Sequence, residues 1–253
     1  MNIIMNKVVR AVPLFFLFLA LPCFSQGSPL SLFNQANAYY EKGEYAKAIE
    51  LYESLAQERQ VNAALYYNLG NAYYRAQQPG KAIVNYERAL RFAPRDSDIR
   101  TNLEFVRRAV QEPGPGPGDE VIAWFDGLIT LNELTVLCSA LLLLCSAGLG
   151  IFIVKRRQRF LLSSAAIAAL FLLSGAWLGM KISNEVSTRW AVVIAGPADV
   201  RNGPGTENSV GFSLPEGRKV MILGHKDDWV AIGLRVEGLK GWIEKKYIEA
   251  VER

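Results

Sequence analysis

The sequence predicts a multidomain membrane protein with an all-α repeat domain, a two-helix transmembrane hairpin and a small all-β domain, in that order. Three observations predict this fold class. Matching residues recur every 34 positions in the first half of the chain, two long runs without charge follow, and short β-branched runs broken by turn residues complete it. A single globular core is excluded, because apolar residues are spread too unevenly along the 253 positions.

Charge and cysteine placement exclude several function classes. The net charge of +4 comes from Lys7, Arg10 and the basic segment 155–159, and the remaining chain is slightly acidic. A nucleic-acid partner is therefore not expected, since it would need a basic stripe on one face. All three cysteines lie in apolar segments, so the hydrophilic regions offer no disulfide, zinc site or thiol nucleophile. We predict neither a metal nor a cofactor.

Residues 1–25 have the pattern of a secretory signal peptide. Two basic residues precede the apolar stretch 11–21, and Cys23 and Ser25 occupy the −3 and −1 positions of a cut after Ser25. The alternative is an uncleaved anchor, but 11 residues reach only about 16 Å, and the hydrocarbon core is about 30 Å thick. Lipid modification of Cys23 is disfavoured because Pro22 precedes it.

A repeat domain is predicted over residues 26–111, with repeats at 29–62 and 63–96. Pairs 34 residues apart include Ala38/Ala72, Ala48/Ala82 and Tyr52/Tyr86. The second copy resembles the tetratricopeptide repeat through Leu69, Gly70, Tyr73, Ala82, Tyr86, Ala89 and Pro94. The first copy is degenerate, with Ala36 and Gln60 where Gly and Pro are usual. Residues 97–110 have the amphipathic period of a capping helix.

Asparagines recur on the first helix of each predicted repeat. The resemblance implies that these helices line a peptide-binding groove, since Asn can both donate to and accept from a peptide backbone. Tetratricopeptide carboxylate clamps also require basic residues, but Phe33, Asp98 and Asn102 occupy those positions here. The alternative is that the asparagines bond the helices together or are simply solvated. The predicted groove residues are Asn34, Asn37, Asn68, Asn71 and Asn102.

Residues 112–131 form the predicted linker and pre-membrane segment. The alternating Pro and Gly residues of 113–118 cannot continue a helix. We expect this segment to hold the repeat domain off the membrane.

Two transmembrane helices are predicted at 132–154 and 160–181, joined by a loop at 155–159. Their uncharged cores of 21 residues reach about 31 Å, enough to span a bilayer. The basic loop should stay cytoplasmic, so both flanking domains should be periplasmic, in agreement with the signal peptide. Trp177 and Trp190 suit the outer interfacial belt.

Small residues mark both predicted spans, as the pairs Ser146/Gly150 and Gly175/Gly179. We favour packing of the two helices on each other over contact with a partner helix. The uncharged cores of 21 residues contain no Asp, Glu, His, Lys or Arg, which argues against an ion pathway.

Residues 187–253 are expected to form a small barrel. The ordered segments 200–205, 214–217 and 241–243, rich in Gly and Trp, resemble the bacterial SH3-like domain. That resemblance implies binding of cell-wall peptides or protein segments. Ligand candidates are Arg201, Trp229, Trp242 and Tyr247, although Trp242 is favoured as a core residue. His225, at a predicted hairpin tip, is interpreted as solvated.

The order of these modules resembles the BatE-like tetratricopeptide proteins of the bacterial aerotolerance (Bat) operon. That resemblance implies a non-enzymatic scaffold in the cytoplasmic membrane, with von Willebrand factor A-domain Bat proteins as partners and a MoxR-type ATPase as an indirect one. The alternative is an envelope sensor whose SH3-like domain reads the cell wall. An enzyme is not expected, because the sequence offers no nucleophile, base or metal set in a recognisable pattern.

Overall fold

The computed structural model of the chain describes residues 28–114 and 127–251. The expected signal peptide and most of the Pro/Gly segment lie outside these residues. The helices are α1 (Pro29–Glu41), α2 (Tyr45–Gln57), α3 (Ala63–Arg75), α4 (Pro79–Phe92), α5 (Ser97–Ala109), α6 (Leu131–Lys155) and α7 (Gln158–Ser187). The strands are β1 (Arg189–Val193), β2 (Ala198–Arg201), β3 (Val210–Leu214), β4 (Lys219–Lys226), β5 (Trp229–Gly233), β6 (Lys240–Glu244) and β7 (Ile248–Ala250).

Helices α1 to α5 form two antiparallel pairs and a final single helix, as the 34-residue period predicts. The period fixes which residues meet at each helix crossing. A Cβ on Gly70 would lie 2.8 Å from the Tyr86 ring, so only glycine lets α3 and α4 approach this closely. Side chains cap the starts of α3 and α5: Asn62 accepts from the Leu65 amide, and Asp96 accepts from the amides of Asp98 and Ile99.

Helix α4 is buried on almost every side. It contacts α3 and α5 within the repeat domain, and β1 and β7 of the C-terminal domain. Strand β1 connects the two cores, because its side chains alternate between faces. Val192 packs in the cluster formed by the repeat helices, whereas Ala191 and Val193 pack inside the sheet. The repeat domain and the C-terminal domain therefore share an apolar interface.

Helices α6 and α7 pack antiparallel, and each is long and apolar enough to cross a membrane. Thr130 and Glu133 form a capping box that begins α6. The contact between the helices is made by small and polar residues as well as Leu134, and the Cys138 Sγ lies 3.3 Å from the Ser174 Oγ. Helix α7 continues past the predicted end at 181 to Ser187, so it leads almost directly into β1.

The predicted small-residue pairs do not mediate this packing. Cβ atoms placed on Gly150, Gly175 or Gly179 would meet nothing within 4 Å, whereas one on Gly148 would collide with the Ser164 hydroxyl. The preference for packing within the hairpin is therefore wrong for these pairs. These pairs face away from the helix contact, because α6 and α7 meet at Gly148 and Ser164 instead.

The C-terminal domain is an antiparallel seven-stranded sheet with strand order β3-β2-β6-β5-β4-β1-β7. The expectation of a barrel is wrong in one respect, since the edge strands β3 and β7 do not pair with each other and the sheet stays open. Strand β7 has only three residues, and α4 contacts it. Packing of a helix against this edge replaces the protection that barrel closure would give.

The repeat domain lies directly against the sheet and the hairpin. The Gly80 amide donates to Glu216 Oε1 at 2.9 Å, and a Cβ on Gly80 would lie 2.5 Å from the Val193 carbonyl oxygen. At the end of α4, Arg95 donates to both carboxylate oxygens of Glu133 at 2.8 and 2.9 Å. The expectation that segment 112–131 separates the repeat domain from the two apolar helices therefore fails at the N-terminal end of α6.

Arg88 fixes α4 to the end of the sheet. Its guanidinium donates to the carbonyl oxygens of Ala250 at 2.6 Å and Val251 at 3.2 Å, and pairs with Glu249 at 2.8 Å. The residue is only 5% exposed, so each of these contacts satisfies a charge removed from water.

A second charged cluster lies beside it, centred on Glu87. This carboxylate pairs with Lys219 of β4 at 2.7 Å and also accepts from Arg107 of α5. Burial alone would raise the pKa of Glu87, but the two cations outweigh it and lower that pKa. Glu112 lies 2.9 Å from Arg107 Nε, although the N–H does not point at the carboxylate. Burial dominates there and raises the pKa of Glu112.

The opposite pKa directions predict unequal effects of neutralisation. Glu87→Gln should lower the free energy of unfolding by about 2–3 kcal/mol, because Lys219 and Arg107 lose their buried anion. Glu112→Gln should cost under about 1 kcal/mol, because its charge is disfavoured in the folded state. Urea unfolding of the full chain in detergent measures both variants.

The lowered pKa of Glu87 also predicts how the stability of the fold depends on pH. The lowered pKa of Glu87 contributes stability above the ordinary carboxyl value of 4.5, and this contribution is lost as the pH falls through the lowered value. Glu87→Gln should therefore remove part of the acid sensitivity. An equal loss of stability in both variants at pH 7 would contradict the assignment.

Candidate functional site

The first helices of the successive repeats, α1, α3 and α5, carry a continuous row of polar and aromatic side chains. The row borders a cavity of about 320 Å³. Three of the five predicted groove asparagines lie in its wall. The cavity is lined by Asn37, Tyr40, Glu41, Tyr52, Asn68 and Asn71.

A hydrogen-bonded unit is repeated along this row. The Tyr52 hydroxyl donates to Asn37 Oδ1 at 2.5 Å, and Asn68 Nδ2 donates to the same oxygen at 3.0 Å. One repeat later, the Tyr86 hydroxyl and Asn102 Nδ2 donate to Asn71 Oδ1 at 2.6 and 3.2 Å. Each unit joins the two helices of one repeat to the first helix of the next. We call this arrangement the asparagine ladder.

The asparagine ladder fixes which end of each amide stays available. Both oxygens of the repeated pair, Asn37 Oδ1 and Asn71 Oδ1, accept two hydrogen bonds and are saturated. Their Nδ2 groups donate to none of the residues that the structure describes. The groove therefore presents two N–H donor groups at equivalent positions of successive repeats, which suits a ligand with regularly spaced acceptors.

The tyrosines that hold the ladder stay protonated. Burial raises the pKa of Tyr52 to about 12, and burial likewise raises the pKa of Tyr86. Both hydroxyls are therefore donors throughout the physiological pH range, and the asparagine amides keep one orientation. The sequence signal for these residues is their own 34-residue spacing, which by itself does not indicate a hydrogen-bonding role.

The other groove candidates differ from the ladder residues. Asn34 is exposed on α1 and makes no hydrogen bond within the described part of the chain. Asn102 also donates to the Tyr67 hydroxyl at 2.9 Å, so its amide nitrogen is engaged. Glu41 at the cavity wall was not predicted, and its carboxyl group disfavours an anionic ligand there. A neutral peptide carbonyl suits this cavity better than a carboxylate.

The candidates on the SH3-like domain lie partly on the sheet surface that faces away from its core. Strand alternation buries Val230 and Ile243, so Trp229 and Trp242 project from the opposite face and are half-buried. The preference for Trp242 as a core residue is therefore wrong. Cross-strand pairing puts Trp242 between Ala231 and Arg201.

Two further candidates have structural contacts. Arg201 donates to the carbonyl oxygens of Thr206 and Asn208 at 3.0 and 2.6 Å, which ties its guanidinium to the following loop. Tyr247 packs against the sheet core. His225 is exposed near the end of β4. The two tryptophans therefore remain the ligand candidates on this module.

Metal binding finds no support in the described residues, because no group of three or more His, Cys, Asp or Glu side chains is placed to hold an ion there.

Alanine substitutions should separate ladder residues from exposed ones. Asn37→Ala leaves the Tyr52 hydroxyl and Asn68 Nδ2 without their acceptor, and should lower the free energy of unfolding by about 1–2 kcal/mol. Asn34→Ala is the matched control and should change it by less than about 0.5 kcal/mol. Urea unfolding followed by circular dichroism measures both. If both variants changed the free energy of unfolding equally, the asparagine ladder would not contribute to stability.

Three segments of the chain match known families. Residues 36–77 match the TPR repeat family, and residues 63–96 match the tetratricopeptide repeat family. Residues 196–249 match the bacterial SH3 domain. No curated protein matches the chain. The chain thus contains tetratricopeptide repeats and a bacterial SH3 domain, which are modules typical of protein–protein interaction and typically not catalytic.

Proposed function

We propose that this protein is a non-enzymatic scaffold, anchored by α6 and α7 in the cytoplasmic membrane, that presents both modules on its outer face. The observation that carries the proposal is the pair of unsatisfied amide donors held open by the asparagine ladder. Donors that are fixed before binding lose little entropy when they meet a peptide backbone. The ligand of the groove is an extended segment of a partner protein.

Membrane anchoring is supported by what α6 and α7 expose. Apolar side chains project outward along both helices, and Leu143, Val154 and Leu172 are examples. In water this surface would be costly, whereas lipid covers it at no such cost. The basic loop 155–159 at one end favours the cytoplasmic side, which leaves the two modules outside.

The docked arrangement of the modules supports a scaffold. Because α4 contacts the sheet, the groove and the tryptophan surface have a set separation. Two weak sites at a set separation gain avidity when both ligands belong to one assembly. The resemblance to BatE-like proteins makes von Willebrand factor A-domain membrane proteins the first partners to test, with a MoxR-type ATPase reached through them.

An envelope sensor is the second candidate, and the exposed faces of Trp229 and Trp242 favour it. Tryptophan faces suit the apolar surfaces of sugars and peptides, so this surface is the proposed site for cell-wall peptide.

Isosteric substitutions test the groove without breaking the ladder. In the double variant Asn37→Asp and Asn71→Asp, each carboxylate still accepts from its tyrosine and from the next asparagine, but each free N–H donor becomes an acceptor. We expect affinity capture from solubilised membranes to lose specific partners at least tenfold. Asn62→Asp is the control for a carboxylate added outside the groove, because Asp also caps α3; it adds one negative charge, and the double variant adds two.

Two outcomes separate the candidates. Partners retained by the double Asp variant, with the fold intact by circular dichroism, would refute the groove as the docking site. Binding of the full chain to isolated peptidoglycan, lost in Trp229→Ala with Trp242→Ala but kept in the Asp variant, would favour the sensor.

A further inference from the structure

A second cavity, distinct from the peptide groove, lies where the repeat domain meets the outer end of α7. Its volume is about 880 Å³, within the range of small-ligand sites. It is lined by the end of α2 and the loop after it, by α3 and α4, by the end of α7, and by Val251, which follows the last strand. We call it the juxtamembrane groove, and the residues used below are Arg59, Arg88, Arg91, Phe92 and Glu185.

The charges of the juxtamembrane groove are unbalanced. Among the described residues that line it, three guanidinium groups face one carboxylate, that of Glu185. Arg88 is neutralised by Glu249 and the last carbonyls of the sheet. Arg91 pairs with Glu185 at 3.1 Å, but both side chains are over two-fifths exposed, so this pair is weak and open to exchange. The described lining of the groove therefore carries excess positive charge, most of it at Arg59.

The position of the groove relative to α7 indicates the source of an anionic ligand. Glu185 lies one helical turn beyond Lys181, where the apolar run of α7 ends. Lys181 donates to the Ile129 carbonyl oxygen, and Arg95 pairs with Glu133. The ion pair joins the repeat domain to α6 at the level where both helices leave their apolar segments. With α6 and α7 in a bilayer, the groove opens at the headgroup layer.

Apolar side chains beside the groove are uncovered as well. Phe92 is 52% exposed at the groove itself, and Ile182 lies three residues before Glu185 on the same side of α7 with 47% exposure. An aromatic ring beside the cationic rim, and an aliphatic side chain nearer the apolar run of α7, match the change from headgroup to acyl chain.

We propose that the juxtamembrane groove binds an anionic phospholipid of the outer leaflet, with its phosphate at Arg59 and Arg91 and its upper acyl chain against Phe92 and Ile182. The inference rests on the membrane anchoring proposed above. The bound lipid would join the repeat domain to the membrane surface and so orient the peptide groove.

Lipid retention in native mass spectrometry tests this binding. The full chain, purified in detergent, is titrated with phosphatidylglycerol, with phosphatidylcholine or with inorganic phosphate alone. Arg59→Gln should weaken phosphatidylglycerol binding about fivefold, the factor that corresponds to about 1 kcal/mol for one basic residue. Glu185→Gln should strengthen it severalfold, because Arg91 loses its competing carboxylate. Inorganic phosphate should bind far more weakly, since it lacks the acyl chain.

The basic loop 155–159 also attracts anionic lipid, so the comparison is between variants, with Arg235→Gln as a matched charge removal on the SH3-like domain. Equal phosphatidylglycerol binding in Arg59→Gln and wild type, or no gain in Glu185→Gln, would overturn the lipid site. So would equal retention of phosphatidylcholine.

Failure of the lipid site is distinguishable from failure of membrane anchoring. Extraction of membranes with alkaline carbonate releases a peripheral protein but not one anchored by two spanning helices. If the protein stays in the membrane pellet but Arg59→Gln does not change lipid binding, only the lipid site is refuted. A chain released into the supernatant refutes the anchoring, and the lipid proposal with it.

Discussion

The burial of α4 is the constraint on which the rest of the structure depends. The helix contacts α3, where Tyr86 packs on Gly70, and α5, and the same helix meets the sheet domain at Gly80 and Arg88. Because one helix completes two cores, neither domain can shift without exposing apolar surface or an unpaired guanidinium. Two repeats and one capping helix bury little area alone, and the sheet supplies the neighbour that further repeats would provide in a longer array.

This constraint also sets where the functional surfaces face. Helix α7 runs to Ser187 and β1 begins at Arg189, so the sheet stands directly on the hairpin, and the repeat domain is held by the sheet. The asparagine ladder lies on α1, α3 and α5, whereas α4 is the helix that meets the sheet. Docking of the domains therefore leaves the peptide groove unobstructed.

Local periodicity was sufficient to predict the elements, but not their mutual contacts. The 34-residue spacing predicted the helix pairs, and the uncharged runs predicted α6 and α7. The docking was missed because Arg88 and Glu87 have the pattern of a solvated helix face, and their partners lie far away in sequence. Trp190 was assigned to a membrane belt, yet it packs against the repeat cluster with Lys219 4.8 Å from its ring. Trp242 was assigned to the core, but strand parity places its neighbour Ile243 there.

The asparagines were given two competing roles, and the ladder shows why one residue type can serve both. The Oδ1 of Asn37 accepts the hydrogen bonds that join the helices, and its Nδ2 group remains available as a donor. Serine would be too short to reach a tyrosine and the next helix together, and aspartate would keep the acceptor while losing the donor. A structural hydrogen bond thus pre-orients the group that would meet the ligand. The proposed recognition of a ligand would therefore be coupled to stability through opposite ends of the same side chain.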